Sequence, residues 1–378
     1  MKILFVAPRF HTNQSTIVKT LISNGHKVFF HVYTIGPIED HSVIKPVIID
    51  ESILSKLRTQ IFGDKSKNRK NYFPSIIKYY LVFKEISPDI MIIRRHGRIY
   101  SYWAAICGRI TNTKIIFYDQ INSKFLYTRH HKSLRSYLNK LKFLSTLKLF
   151  NAAWFTPLHN SDQKLPLPNR CYYLPFAVDV KIDKEFKINT PIRLLMTGKY
   201  YKRKNHQLLI EALEKIKDDY EFHLTLVGEV SNNTHRNRQL KIKDLVRKVV
   251  IENKIEFLDN IPFNKMESIY ISHDLFLLPA SNEPASISVL EAMGYGLPVI
   301  CSDTCGTKTY IKQNNNGNIF KSDNSQSLAK IISNYLDNNE YLFKQKKWLL
   351  ENANSEISAD NYLICFNSLI ETEKAYGR

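Results

Sequence analysis

No apolar run in the 378-residue sequence approaches the roughly 20 residues that a membrane-spanning helix needs. The opening segment Met1–Ala7 stops at Pro8 and Arg9, too short for the ~7–15-residue core of a secretory signal. The expectation is a soluble, cytoplasmic chain. Cysteine is scarce: five residues, at positions 107, 171, 301, 305 and 365, are odd in number and scattered, which argues against a disulfide framework. Cys301 and Cys305 have no second Cys/His pair nearby, so zinc spacing is not met and no metal site is expected. The 12 glycines form no G-x-G-x-x-G, and Gly294-Tyr295-Gly296 lacks the third member and follows a helix. A dinucleotide fingerprint is therefore missing, as are the phosphate-loop, nucleophile-elbow and H-E-x-x-H patterns. No Asp-x-Asp pair offers a metal to a diphosphate.

Acidic residues are also few, 35 against 54 Lys and Arg, for a formal charge of +19. The excess is uneven. Residues 1–185 hold 29 basic and 12 acidic side chains, 29 − 12 = +17, whereas residues 186–378 hold 25 and 23, or +2. Such asymmetry points to an anionic partner of one half: nucleic acid, membrane surface or acidic substrate. Hydrophobic residues make up 44% and aromatics 12%, enough for packed cores and against disorder as the main state.

Short apolar runs alternate with segments of helical period. Strands are expected at Lys2–Ala7, Lys27–Tyr33, Ile90–Ile93, Lys114–Tyr118 and Ala152–Phe155, with helices at Gln14–Ser23, Ile99–Ile110 and Leu134–Leu147. Phe176–Thr190 has no periodicity and reads as a linker. The alternation then restarts. Strands are expected at Ile192–Met196, Phe222–Val227, Ile255–Leu258, Leu275–Leu278 and Pro298–Cys301. Helices are expected at His206–Ile216, Lys241–Val250, Ser286–Met293 and Ser327–Leu336, with two or three more in Glu340–Lys374. This order predicts an α/β chain of two doubly wound, Rossmann-like domains with parallel sheets. The expected boundaries are 1–183, 190–355 and a C-terminal helical segment 356–378.

Two motifs carry chemistry. Thr197-Gly198-Lys199-Tyr200-Tyr201-Lys202-Arg203-Lys204-Asn205-His206 leaves a strand and opens a helix. Its four cations meet outward amides, which suits a phosphate or diphosphate; a solvated basic loop is the other reading. In Pro279–Gly294, Glu283 precedes a helix and Glu291 lies inside it, with the helix's free N–H groups between them. The two carboxylates read either as acceptors for sugar hydroxyls or as a cap and a surface ion pair. Both motifs lie at C-terminal ends of strands, the edge where open α/β sheets hold ligands, and together they describe a nucleotide-diphosphate-sugar pocket.

The C-terminal half resembles the retaining glycosyltransferases of family 4, which have the GT-B fold. Glu283 and Glu291 match that family's E-x7-E motif, and Gly198, Lys199 and Lys204 its Gly-Arg-x5-Lys motif. Glu291-Ala292-Met293-Gly294-Tyr295-Gly296-Leu297-Pro298-Val299-Ile300 matches a third block. Lys199 stands where Arg is usual, so a bidentate donor becomes a point charge. Asn205 replaces a Gly, Pro-Ala-Ser follows Glu283 in place of Gly-Phe-Gly, and Arg9-Phe10-His11-Thr12-Asn13 stands where a glycine-rich loop is usual. Asp119-Gln120 replaces an acceptor-side His-Asp, and Thr309 a Glu.

The resemblance implies two domains facing a cleft, with C-terminal helices packing back on the N-terminal domain. It implies metal-independent transfer of a sugar from a nucleotide diphosphate, UDP favoured over GDP, to a glycan in surface polysaccharide (O-antigen or capsule-like) assembly, with no cofactor. Implied catalytic residues are Glu283, Lys204 and Lys199; implied donor-binding residues are Gly198, Lys199, Lys204, Glu283, Ala285, Ser286, Ile287 and Glu291. On the acceptor side stand Phe10, His11, His96 and Asp119, and Arg94-Arg95-His96 is a candidate for an acceptor phosphate. Lys124, Arg129, Lys132, Arg135, Lys140, Lys142 and Lys148 surround Leu134, Leu138, Leu141 and Leu147, a pattern for peripheral attachment to an anionic membrane bearing a lipid-linked acceptor. Three other readings compete: an epimerase or phosphorylase on the same fold, an inactive scaffold, and a nucleic-acid-binding protein. The last lacks zinc spacings, a recognition helix and stacked-aromatic motifs.

Overall fold

A computed structural model describes residues 1–10, 14–35, 39, 41–62, 73–121, 134–158, 170–174, 176, 187–283, 286–352 and 362–370. The chain forms two compact units, Met1–Ala177 with Glu356–Arg378, and Val178–Ser355.

In the first unit the strands are β1 (Lys2–Ala7), β2 (Lys27–Val32), β3 (Val47–Ile48), β4 (Ile90–Arg94), β5 (Lys114–Tyr118), β6 (Ala153–Thr156) and β7 (Cys171–Tyr173). They form one parallel sheet in the order β3-β2-β1-β4-β5-β6-β7. Strand β4 is buried along its whole length, as the unbroken Ile90-Met91-Ile92-Ile93 requires of a strand covered on both faces. Helix Ile99–Ile110 lies where its periodicity placed it. The described helix at residues 362–370 returns to this unit: Tyr362 and Phe366 are buried, their rings 6.0 and 6.2 Å from Phe155 of β6.

The second unit holds β8 (Ile192–Thr197), β9 (Phe222–Gly228), β10 (Ile255–Asp259), β11 (Leu275–Leu278), β12 (Val299–Ser302) and β13 (Gly317–Phe320). The order is β10-β9-β8-β11-β12-β13, again parallel. At Gly317 an added Cβ would lie 2.1 Å from the Val299 carbonyl oxygen, so only glycine lets β13 approach β12 here. Asp274 is 0% exposed and anchors the start of the central strand β11. It accepts from the Arg193 amide at 2.9 Å, Asn189 Nδ2 at 3.0 Å and Lys346 Nζ at 3.3 Å, tying β8 and helix Asn339–Asn352 to β11.

Both sheets reverse winding direction beside their first strand, between β1 and β4 and between β8 and β11. The C-terminal edge beside such a switch point is where ligands of this architecture gather.

The structure corrects several expectations. Helix Asn233–Lys248 starts well before Lys241, with Asn232 capping the His235 amide at 3.0 Å. Its first half buries His235 and Gln239, polar residues that leave no apolar period to read. Strands β3, β7 and β13 and helices Ile53–Phe62, Ile76–Ile86 and Met266–Ile271 were not anticipated. The division between the two units, at Ala177 and Val178, falls within the expected linker Phe176–Thr190, whose described ends are packed, Phe176 being buried and Asn189 bound to Asp274. All five cysteines are free thiols.

Candidate active site

Strand β8 ends at Thr197, and the basic loop turns out of the sheet at Gly198 with φ +151°. An added Cβ there would meet Lys204 Cε at 3.1 Å, so a side chain at 198 would crowd the cation the loop delivers. Tyr200 anchors the loop. Its ring occupies the space a Cβ on Gly228 would fill, and it stacks on His206 at 5.0 Å. Lys202–Lys204 form one short 3-10 turn, and Asn205, left-handed at φ +55°, starts helix His206–Glu214. Burial, then the Lys204 charge, lower His206 to about 3, so its ring is neutral at physiological pH.

The loop after β11 meets this turn. The Ser281 amide donates to the Arg203 carbonyl at 2.7 Å, and the Gly306 amide holds the Glu283 carbonyl at 2.8 Å. Glu283 is 5% exposed and lies between two cations, with Oε1 2.9 Å from Arg203 Nη1 and Oε2 3.1 Å from Lys204 Nζ. The Lys204 contact is an ion pair outside hydrogen-bond geometry, so buried Oε2 retains its hydrogen-bonding capacity. Lys204 is 8% exposed, an unusual burial for lysine without a paired carboxylate.

Lys199 does not join this group; it pairs with Glu229 at 2.7 Å. Burial raises the Glu229 carboxyl, but the Lys199 hydrogen bond and charge outweigh it and hold it below the usual range. Ser286 precedes helix Ile287–Gly294 without capping it, its hydroxyl lying 2.9 Å from that of Ser288. The first-turn amides are thus not taken up by this side chain. Within the helix, Glu291 accepts from the Tyr270 hydroxyl at 2.8 Å. Burial raises the Glu291 carboxyl, and the Tyr270 bond pulls the other way. Tyr270 stacks on Tyr295 at 5.2 Å.

Glu283, Lys204 and Gly198 therefore meet as the sequence spacing implied, and Ser286, Ile287 and Glu291 share the neighbouring helix. Ala285 and His11 lie outside the described residues, as do Lys124, Arg129 and Lys132 and the side chain of Arg135. Arg203, Glu229 and Tyr270 are added by the structure; Arg203 had a signal, as one of four clustered cations, and Glu229 another, since Val227-Gly228-Glu229 falls in register with the family that the sequence resembles. Phe10 is corrected. It is 1% exposed, edge-on to Phe30 at 4.9 Å, and is a core residue. Arg94 turns inward to Gln120 and Gln14, and burial lowers its guanidinium to about 10, so it is no open phosphate ligand. His96 and Asp119 bind each other at 2.5 Å.

Residues 178–354 match the sequence profile of the glycosyl transferases group 1 family. The chain is 25% identical over 192 residues to an uncharacterized glycosyltransferase of Methanocaldococcus jannaschii, covering 48% of this chain and only 47% of that one. It is 32% identical over 133 residues to the lipopolysaccharide glucosyltransferase WaaG of Escherichia coli, covering 35% and 34% of the two chains. The crystal structure of Anabaena HepE in complex with UDP superposes with a TM-score of 0.69 at 12% identity, over 97% of this chain and 100% of that one. Residues 178–354 are thus similar to the glycosyl transferases group 1 family, and the two parallel-sheet units have the GT-B fold.

Proposed function

We propose that the protein is a retaining, metal-independent glycosyltransferase that moves a sugar from a nucleotide diphosphate, UDP favoured over GDP, to a lipid-linked glycan in surface polysaccharide assembly. One observation carries the donor site: the buried Lys204–Glu283 pair, flanked by Arg203, at the β8–β11 switch point. When the bond from sugar to diphosphate breaks, negative charge grows on the leaving phosphate. Lys204 and Arg203, with the first-turn amides of helix Ile287–Gly294, would meet that charge without reorganising. Glu283 has two tasks in this reading. It holds Lys204 and Arg203 in position, and its Oε2 accepts a hydrogen bond from a sugar hydroxyl. Glu291 accepts from the ribose hydroxyls alongside Tyr270. The WaaG relationship and the UDP bound to HepE support a UDP-sugar and a surface-glycan acceptor.

Glu291→Ala is expected to weaken binding of free UDP by about tenfold or more, the scale of one hydrogen bond to a charged group. Calorimetry with UDP reads this, and unchanged affinity would remove Glu291 from the ribose site.

The acceptor half is proposed to dock peripherally on the cytoplasmic face of the membrane. Helix Leu134–Phe150 exposes Leu134, Leu138, Leu141 and Leu149 beside Lys142 and Lys148, an arrangement that suits an anionic leaflet. No described helix is long and apolar enough to cross a membrane. Each cation near such a surface contributes roughly 1 kcal/mol. Flotation with phosphatidylglycerol-containing vesicles should show binding that salt removes. Equal binding to neutral vesicles, or none to either, would count against this docking.

A further inference from the structure

We propose that His96, held by an Asp119 that Trp154 fixes, is the residue of the first unit that binds the acceptor hydroxyl, through its Nε2. The inference deepens the glycosyltransferase reading and rests on it.

His96 lies two residues beyond β4, on the edge beside the β1–β4 reversal, and Asp119 directly follows β5. The chain is bent to bring them together. Arg95 and Gly97 are both left-handed, at φ +64° and +76°, an uncommon state for arginine. The surroundings fix this turn at several points. Tyr100 donates to the Arg94 carbonyl and Ser101 to the Arg95 carbonyl, each at 2.6 Å, while the Arg95 amide donates to the Tyr118 carbonyl at 2.9 Å. Strain kept in place this firmly is characteristic of functional turns.

Asp119 is as firmly held. Its side chain is 3% exposed, and Oδ2 accepts from Trp154 Nε1 at 3.1 Å as well as from His96 Nδ1 at 2.5 Å. Asp119 Oδ2 accepts from Nδ1–H, so in the neutral imidazole, which has a single N–H, Nε2 is left with the lone pair. The ring stands at 65° to Phe143 with centroids 4.7 Å apart, and Phe143 in turn packs edge-on to Trp154 at 5.4 Å. The imidazole is thereby fixed in tautomer and orientation. Its side chain keeps 23% exposure, and Nε2 has no partner among the described residues. A fixed lone pair at a ligand-binding sheet edge takes an O–H donor. In a sugar transferase that donor is a hydroxyl of the acceptor, or of water when the donor is hydrolysed. His96 binds this hydroxyl directly, and Asp119 acts through His96 as a positioning residue.

Nitrogen-15 NMR of histidine-labelled protein should find the His96 imidazole in the Nδ1–H form, and Asp119→Asn should abolish that preference. Release of nucleoside diphosphate from UDP-glucose and GDP-mannose, with octyl glucoside or water as acceptor, should fall about tenfold or more in His96→Ala, the scale of one hydrogen bond to a well-placed partner. The affinity for free UDP should stay unchanged. Wild-type rates in His96→Ala, or an Nε2–H tautomer in the parent protein, would overturn the assignment. Failure of the parent protein to release diphosphate from either donor defeats the glycosyltransferase reading instead, and the tautomer then decides the His96 assignment alone.

Discussion

Lys204→Ala is expected to lower sugar transfer by roughly 10²–10³-fold, the usual cost of removing one preorganised donor to developing negative charge. Two effects act in the same direction. The cation facing the leaving phosphate is lost, and Glu283, now neutralised only by Arg203 at 2.9 Å, presents more negative charge to the same phosphate. The fold should survive, because Arg203 still pairs with Glu283 and the Gly306 amide still holds the loop. Lys204→Arg keeps the charge but brings a wider guanidinium against Gly198, where Lys204 Cε already sits within 3.1 Å of an added Cβ. It should recover part of the activity. Steady-state transfer rates beside circular dichroism melts check this. Unchanged turnover in a folded Lys204→Ala protein removes Lys204 from the mechanism.

Asp274→Ala is expected to destabilise the second unit by about 3–5 kcal/mol, the cost of leaving a buried charge without its partner. Asp274 is fully buried and Lys346 is 6% exposed, so water cannot replace the lost carboxylate. The substitution also strands the Arg193 amide and leaves Asn189 Nδ2 only the Ser272 carbonyl. At roughly 2–4 °C per kcal/mol for a unit of this size, the melting midpoint should drop by about 10 °C. Replacing both partners, in Asp274→Leu with Lys346→Met, should restore much of the loss, since an apolar pair needs no compensating charge. Urea denaturation followed at Trp348, on the helix that carries Lys346, reads both variants. A loss below about 1 kcal/mol would place this network among those that merely tolerate burial.

Much of the architecture was legible because parallel strands covered on both faces must be apolar throughout. Ile90–Ile93 and Leu275–Leu278 have no polar alternation to confuse them, and the structure places strands there. The amphipathic helix Ile99–Ile110 was equally plain. Segments whose burial depends on tertiary partners were not. Helix Ile53–Phe62 leaves Ile53, Leu54 and Ile61 exposed, so its apolar pattern does not trace a core face. Strand β3 has only two residues, and both are exposed. The early turns of helix Asn233–Lys248 bury histidine and glutamine, which no hydrophobic period reveals.

The candidate site divides in the same way. By itself the sequence determined which groups gather: Gly198, Lys204 and Glu283 follow the ends of neighbouring parallel strands, which deliver their following loops to one edge. The tertiary structure alone decided what each group faces. It turned Arg203 onto Glu283 beside Lys204, drew Lys199 away to Glu229, brought Tyr270 to Glu291 and folded Arg94 inward. It also bent Arg95 and Gly97 so that His96 meets Asp119. These partners lie far apart along the chain, and a charge or hydrogen bond takes its partner from distance and burial in space, which spacing along the chain does not encode.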